Sequence, residues 1–120
     1  MKIEHYSFGN ITIDGKGYTS DVIIYPDRVY SSWWRKEGHN LQIEDLTDVV
    51  KAPPDILVIG TGASGVMKVP KETVAHLESK GIKVYAVRTG EAVDLFNKLQ
   101  SKTSGGGKTG SVIAALHLTC

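Results

Sequence analysis

The chain has 120 residues, of which 41% are hydrophobic and 22% charged, the make-up of one globular domain large enough to bury a core. Fourteen basic against thirteen acidic residues leave a net charge of +1, which gives no electrostatic footprint for nucleic acid or an acidic membrane surface. A lone cysteine, Cys120, excludes an internal disulfide, and no run approaches the ~20 apolar residues that span a bilayer. The start, Met1-Lys2-Ile3-Glu4-His5, lacks the apolar run of a signal peptide, so the expected compartment is the cytoplasm.

The first third reads as antiparallel β. Ile11-Thr12-Ile13 alternates, and Asp14-Gly15 suits a tight hairpin turn because both residues tolerate positive φ. Asp21 to Tyr25 is a β-branched run closed by the turn signal Pro26-Asp27, and Arg28 to Trp33 is expected as a further strand ending near Trp34. Ile43, Leu46, Val49 and Val50 then share one face of a short helix, which Pro53-Pro54 ends. Ile56 to Ile59 is unbroken apolar, the mark of a strand covered on both faces.

Glycines follow from Gly60 to Gly65, and Pro70 fits the first position of a helix whose buried face includes Val74 and Leu77. Gly81 supplies its left-handed cap, and Ile82 to Val87 is a second apolar strand. Thr89 is expected as an N-cap, ahead of Ala92, Leu95, Phe96 and Leu99 at helical spacing. Ser104 to Gly107 is expected as a loop, and Ser111 to Leu118 as the last strand. The β-α-β-α-β order favours a mixed, mostly parallel sheet with right-handed crossovers, the N-terminal strands adding as antiparallel neighbours or as a small extra layer.

Gly60-Thr61-Gly62-Ala63-Ser64-Gly65 matches the dinucleotide pattern, in which glycines let the backbone approach a pyrophosphate. The next helix starts too late, near Pro70, and the following strand ends in Arg88 rather than an acidic residue. Three readings stay open: an ordered turn, an anion or small-ligand site, and dinucleotide binding with Arg88 meeting a 2′-phosphate. Gly105-Gly106-Gly107-Lys108-Thr109 resembles the end of a phosphate loop but follows a helix and precedes a strand, so it reads as a connection.

No histidine pairs at helical spacing and no Cys-x-x-Cys occurs, so no metal and no cofactor are expected. His39 sits near Arg35 in a polar loop that could face a cleft. His117 and Cys120 make a Cys–His nucleophile conceivable, against which residues three apart on a strand point to opposite faces and a chain-terminal cysteine frays. Ser64 lacks the nucleophile-elbow spacing, because Val66 stands where the last glycine belongs. No catalytic residue is assigned. Trp33 and Trp34 should face opposite ways, one toward the core and one at a surface or interface; ordinary packing is the first reading and an aromatic anchor for a protein partner the alternative.

In order and spacing, several stretches together resemble the Mth-type domain family, which includes an adipogenesis-associated member and, more distantly, the mitochondrial complex I assembly factor 3. They are Trp34-Arg35 with Gly38-His39, Asp55 to Gly62, Val69-Pro70, Gly81-Ile82, Thr89 to Ala92, Phe96 to Leu99, and His117 to Cys120. The resemblance covers nearly the whole chain, residues 1–120 as a single domain, and implies a three-layer α/β fold around a mixed sheet. It implies no established enzymatic activity, and a role as an assembly or signalling accessory acting through protein partners.

The expected function is therefore that of a non-enzymatic accessory protein, docking through Trp34, Arg35 and His39. The alternative is a binder of a small anionic ligand, or an enzyme, using Gly60, Thr61, Gly62, Ser64, Gly65, Arg88, Thr89 and Gly90. That crevice needs the strands ending near 60 and 87 to be parallel neighbours. The remaining expectations are a protein partner, no nucleic acid, no membrane, and a monomer or weak homo-oligomer.

Overall fold

The computed structural model describes residues 1–37, 39–104 and 111–120. Ile3–Ser7 (β1), Asn10–Ile13 (β2) and Lys16–Tyr18 (β3) form a small antiparallel sheet. Asp14 and Gly15 turn the β2–β3 hairpin with φ of 49° and 81°, the left-handed pair that the Asp-Gly dipeptide favours. β1 had no distinct signal in the sequence. Outside the sheet, the Asn97 amide bonds both the N–H and the C=O of its residue Ile3.

The main sheet has five strands in the order β5-β4-β8-β6-β7. They are Val22–Ile24 (β4), Val29–Ser31 (β5), Ile56–Thr61 (β6), Lys83–Val87 (β7) and Val112–His117 (β8). β6 runs parallel to β7 and to β8, while β4 runs antiparallel to β5 and to β8, so the sheet is mixed. β5 is shorter than expected: Ser32 takes φ of 61° and ends it before Trp33. Between the strands lie a 3-10 turn (Ile43–Leu46) and three α-helices, Thr47–Lys51 (α1), Lys71–Ser79 (α2) and Thr89–Ser104 (α3). The glycine segment 105–109 lies outside the described residues, and Ser104 closes α3 rather than opening a loop.

Strand alternation builds two cores. Val22, Ile24, Val58, Val112, Ala114 and Leu116 face α3 and the small sheet, against Ala92, Phe96, Ile11 and Ile13. Ile23, Leu57, Ile59, Ile113 and Ala115 face the other way, against Trp33, Leu41, Val49 and Leu77. Both faces are covered, which gives the three layers and explains why β6 and β8 carry almost no polar residue. β7 is a sheet edge and only half-buried, with Lys83 exposed on it.

Candidate functional site

The register that pairs Val22 with Leu116 in β4 and β8 puts Asp21 and His117 opposite each other one step further on. Both then point to the face that carries Trp33. The carboxylate of Asp21 lies 2.8 Å from His117 Nδ1 through Oδ2, and its Oδ1 accepts the Leu118 N–H at 2.8 Å. Arg35 closes the group, with Nη1 at 2.8 Å from Asp21 Oδ2 and Nη2 at 3.0 Å from His117 Nδ1. Its guanidinium lies over the Trp33 ring, 4.8 Å from the centroid, and Trp33 is fixed by its indole N–H to Asp45 O.

Burial pushes the Asp21 carboxyl up. Hydrogen bonds from His117, the Leu118 amide and Arg35 outweigh that push and hold it below the ordinary value of 3.8. An ionised carboxylate only accepts and favours a proton on Nδ1 of His117, whereas the Arg35 guanidinium only donates and favours a lone pair there, so the two contacts at Nδ1 ask for opposite tautomers. His117 is 5% exposed, and Nε2 has no hydrogen-bond partner among the described residues.

The expected neighbours β6 and β7 do run side by side and parallel, Gly60 opposite Val87. The glycine loop that follows is filled by the chain itself. Ala63 N–H donates to Thr119 O, Val66 N–H to Cys120 O at 3.0 Å, and Gly65 N–H to Gly62 O. Gly62 N–H donates to the Thr89 hydroxyl, which in turn donates to His117 O at 2.5 Å. Thr89 therefore staples the ends of β6 and β8 together instead of capping α3. Arg88 takes the cap position, its carbonyl receiving the Ala92 N–H. Thr61, Gly62 and Thr89 are buried, whereas Ser64, Gly65, Arg88 and Gly90 are exposed.

Gly62 has φ of +106°, and a Cβ there would collide with the Cys120 main chain and sit 3.0 Å from His117 Cδ2. Only glycine lets residues 118–120 fold back on the loop. Tyr6 secures the same segment, its phenol donating to Leu118 O at 3.0 Å. Burial, partly opposed by the Thr89 hydrogen bond and assisted by the Asp21 charge, raises the Tyr6 phenol above 10.0.

The expected docking residues separate. Trp34 is 74% exposed, Arg35 is buried in the polar group, and His39 is exposed with its ring edge-on to His117, centroids 5.9 Å apart. Beside Trp34 opens a cleft of about 240 Å³ lined by Tyr25, Tyr30, Trp33 and Val49, with Glu44, Asp45 and Asp48 on its rim. Sequence reasoning missed Asp21 and Arg35 as partners of His117. Asp21 lies 96 residues from His117, and no local pattern announces that pairing.

A mixed sheet between an α-helical layer and a layer of helix plus small β-sheet is the architecture of an Mth-type α/β domain. Residues 3–117 match the family model described as a protein of unknown function (DUF498/DUF598), and the chain belongs to that family. Over 100% of both chains it is 30% identical to a conserved hypothetical protein of Pyrococcus horikoshii, with a TM-score of 0.79. A protein of Bartonella henselae described as an outer membrane protein is 25% identical, over 98% of this chain and 94% of its own, with a TM-score of 0.79. The Mth938-like domain of Bordetella pertussis shares the fold at 20% identity and a TM-score of 0.71, over 98% of this chain and 85% of its own.

Proposed function

We propose that this domain is a non-enzymatic accessory protein of the cytoplasm, acting as a monomer or weak homo-oligomer, that docks a protein partner through the cleft beside Trp34. The observation that carries the reading is the pairing of an exposed indole with an adjoining recess that has aromatic and aliphatic residues in its lining and acidic ones beside them. Trp34 is 74% exposed and Tyr30 50%, next to a floor that includes buried Trp33 and Val49. Such rigid aromatics anchor interfaces, because they cover much area while losing little rotamer freedom. The rim selects the partner's chemistry. Glu44 and Asp48 are exposed there with Asp45 beside them, against one lysine, Lys36. The complementary partner is a segment with an apolar anchor flanked by Lys or Arg. No helix among the described residues is long and apolar enough to cross a membrane.

The anion reading keeps one specific support. Arg88 is exposed at the carboxyl ends of two parallel strands, beside Gly65 and Gly90. Most of the loop amides already bond the protein's own carbonyls, so that reading ranks second.

Peptides carrying a Leu or Phe anchor between lysines, with glutamate-flanked counterparts as controls, test the first reading through tryptophan fluorescence. The basic set is expected to bind and to lose at least about tenfold in affinity on Trp34→Ala, the scale of a hot-spot residue. Equal binding of the acidic set, or no change on Trp34→Ala, would overturn it.

A further inference from the structure

Three parts of the chain bring aromatic rings and negative charge into one cleft. β4 alternates, so Ile23 and Tyr25 share a face, and the register that pairs Ile23 with Tyr30 sets Tyr30 of β5 on that same face. Past the left-handed Ser32 the chain leaves the strand, with Trp33 buried in the cleft lining and Trp34 exposed beside it. The 3-10 turn and α1 add Glu44, Asp45 and Asp48, three carboxylates against the single ammonium of Lys36. Burial, then the Asp48 charge, raise the Tyr25 phenol above 10.0 against the opposing Arg28 guanidinium, so the acidic charge reaches the rings. The oxygens of Asp45 already accept the Lys36 and Gln42 amides at 3.0 Å each, so this group brings charge with its acceptors engaged.

Two of the rings also hold cations. The Arg28 guanidinium lies 4.2 Å from the Tyr25 centroid and that of Arg35 4.8 Å from the Trp33 centroid. Neither arginine lines the cleft, where Tyr30 and Trp34 stay half or more exposed. Aromatic faces beside fixed negative charge suit a cation that needs no hydrogen-bond acceptor. A primary ammonium gives up a tightly held water shell and has three hydrogens to satisfy. A trimethylammonium donates nothing, spreads its charge over methyl groups and is apolar at its surface.

We propose that the cleft seats a trimethyllysine side chain of the protein partner. The inference rests on the docking reading above and names the anchor that enters. Tyr30 and Trp34 flank the methyl groups over a floor of Tyr25 and Trp33, while Glu44 and Asp48 balance the charge. A free ammonium compound would leave the Trp34 indole largely uncovered, whereas the lysine stem leaving the cleft lies along it.

The probe is one short basic peptide in three forms that differ at a central side chain. These are trimethyllysine, lysine, and the uncharged isostere in which a tert-butyl group replaces trimethylammonium. Titration calorimetry is expected to find the trimethyl form at least about tenfold tighter than either of the others. Tyr30→Ala and Asp48→Asn should each shrink that margin, and Asp48→Asn should leave the isostere unchanged. The three-way comparison uses the unaltered protein, so it decides even where a variant fails to fold. An isostere that binds equally well reduces the anchor to an apolar group, and a lysine form that binds equally well reduces it to a charge. Either result overturns the proposal and leaves docking at the cleft standing, as does binding of the Leu- or Phe-anchored peptides alone. A margin untouched by both substitutions overturns the site. If no peptide of either set binds, the docking reading falls with it.

Discussion

Trp34 and Arg35 are neighbours in sequence and belong to opposite kinds of structure. The indole projects into solvent at 74% exposure, while the guanidinium next to it is 9% exposed and locked between Asp21 and His117. The apolar residue is outside and the charged one inside, the reverse of what composition alone would assign. Burying Arg35 is tolerable because an ionised carboxylate meets it and Trp33 covers its face. Exposing Trp34 adds nothing to the core, which is the ground of the docking role proposed for it. The polar group holds the sheet end together; the indole next to it is available for contact.

This contrast is sharpened by removing each side in turn. Asp21→Ala leaves Arg35 buried without its counter-charge and His117 without its carboxylate contact, and should lose about 3 kcal/mol of stability, measured by urea unfolding. The same carboxylate sets a pH dependence. Its native pKa lies below 3.8, so its stabilisation is fully present above the unfolded value and is lost as pH falls through the native one. A thermal-melt series from pH 6 down to pH 2 should show that acid limb, and Asp21→Ala should flatten it. Gly62→Ala forces a β-carbon into a left-handed conformation against the Cys120 main chain and should lose about 1–3 kcal/mol in the same unfolding assay. Trp34→Ala should change stability by less than about 0.5 kcal/mol, as for surface positions generally. A large loss there would place Trp34 with the structural residues and erase the distinction.

What could be read from the sequence follows the range of the interactions involved. The β2–β3 turn at Asp14-Gly15, the buried strand through Ile56 to Ile59 and the α3 face of Ala92 and Phe96 are local patterns, and all stand in the structure. The parallel sense of β6 and β7 follows from the helix between them, whereas their direct pairing stood in the sequence only as a condition, which the structure meets. The Asp21–Arg35–His117 group was not, because it arises from the β4–β8 register between distant segments. Arg35 read as a surface residue since its partners are invisible in its neighbourhood. Thr89 read as a helix cap because cap chemistry is local, whereas its hydroxyl answers to Gly62 and His117 across two strands. The short β5 reflects the left-handed Ser32, for which Ser-Ser-Trp gives no warning.

The antiparallel joining of β4 to β8 also has a kinetic consequence. Residues 96 apart must meet before the carboxylate can find its imidazole. The small sheet of β1, β2 and β3 closes over short spans and needs none of this. Closing a loop of that length is slow, as non-local pairing generally is, so a refolding measurement should find the main sheet rather than the N-terminal hairpins limiting the rate.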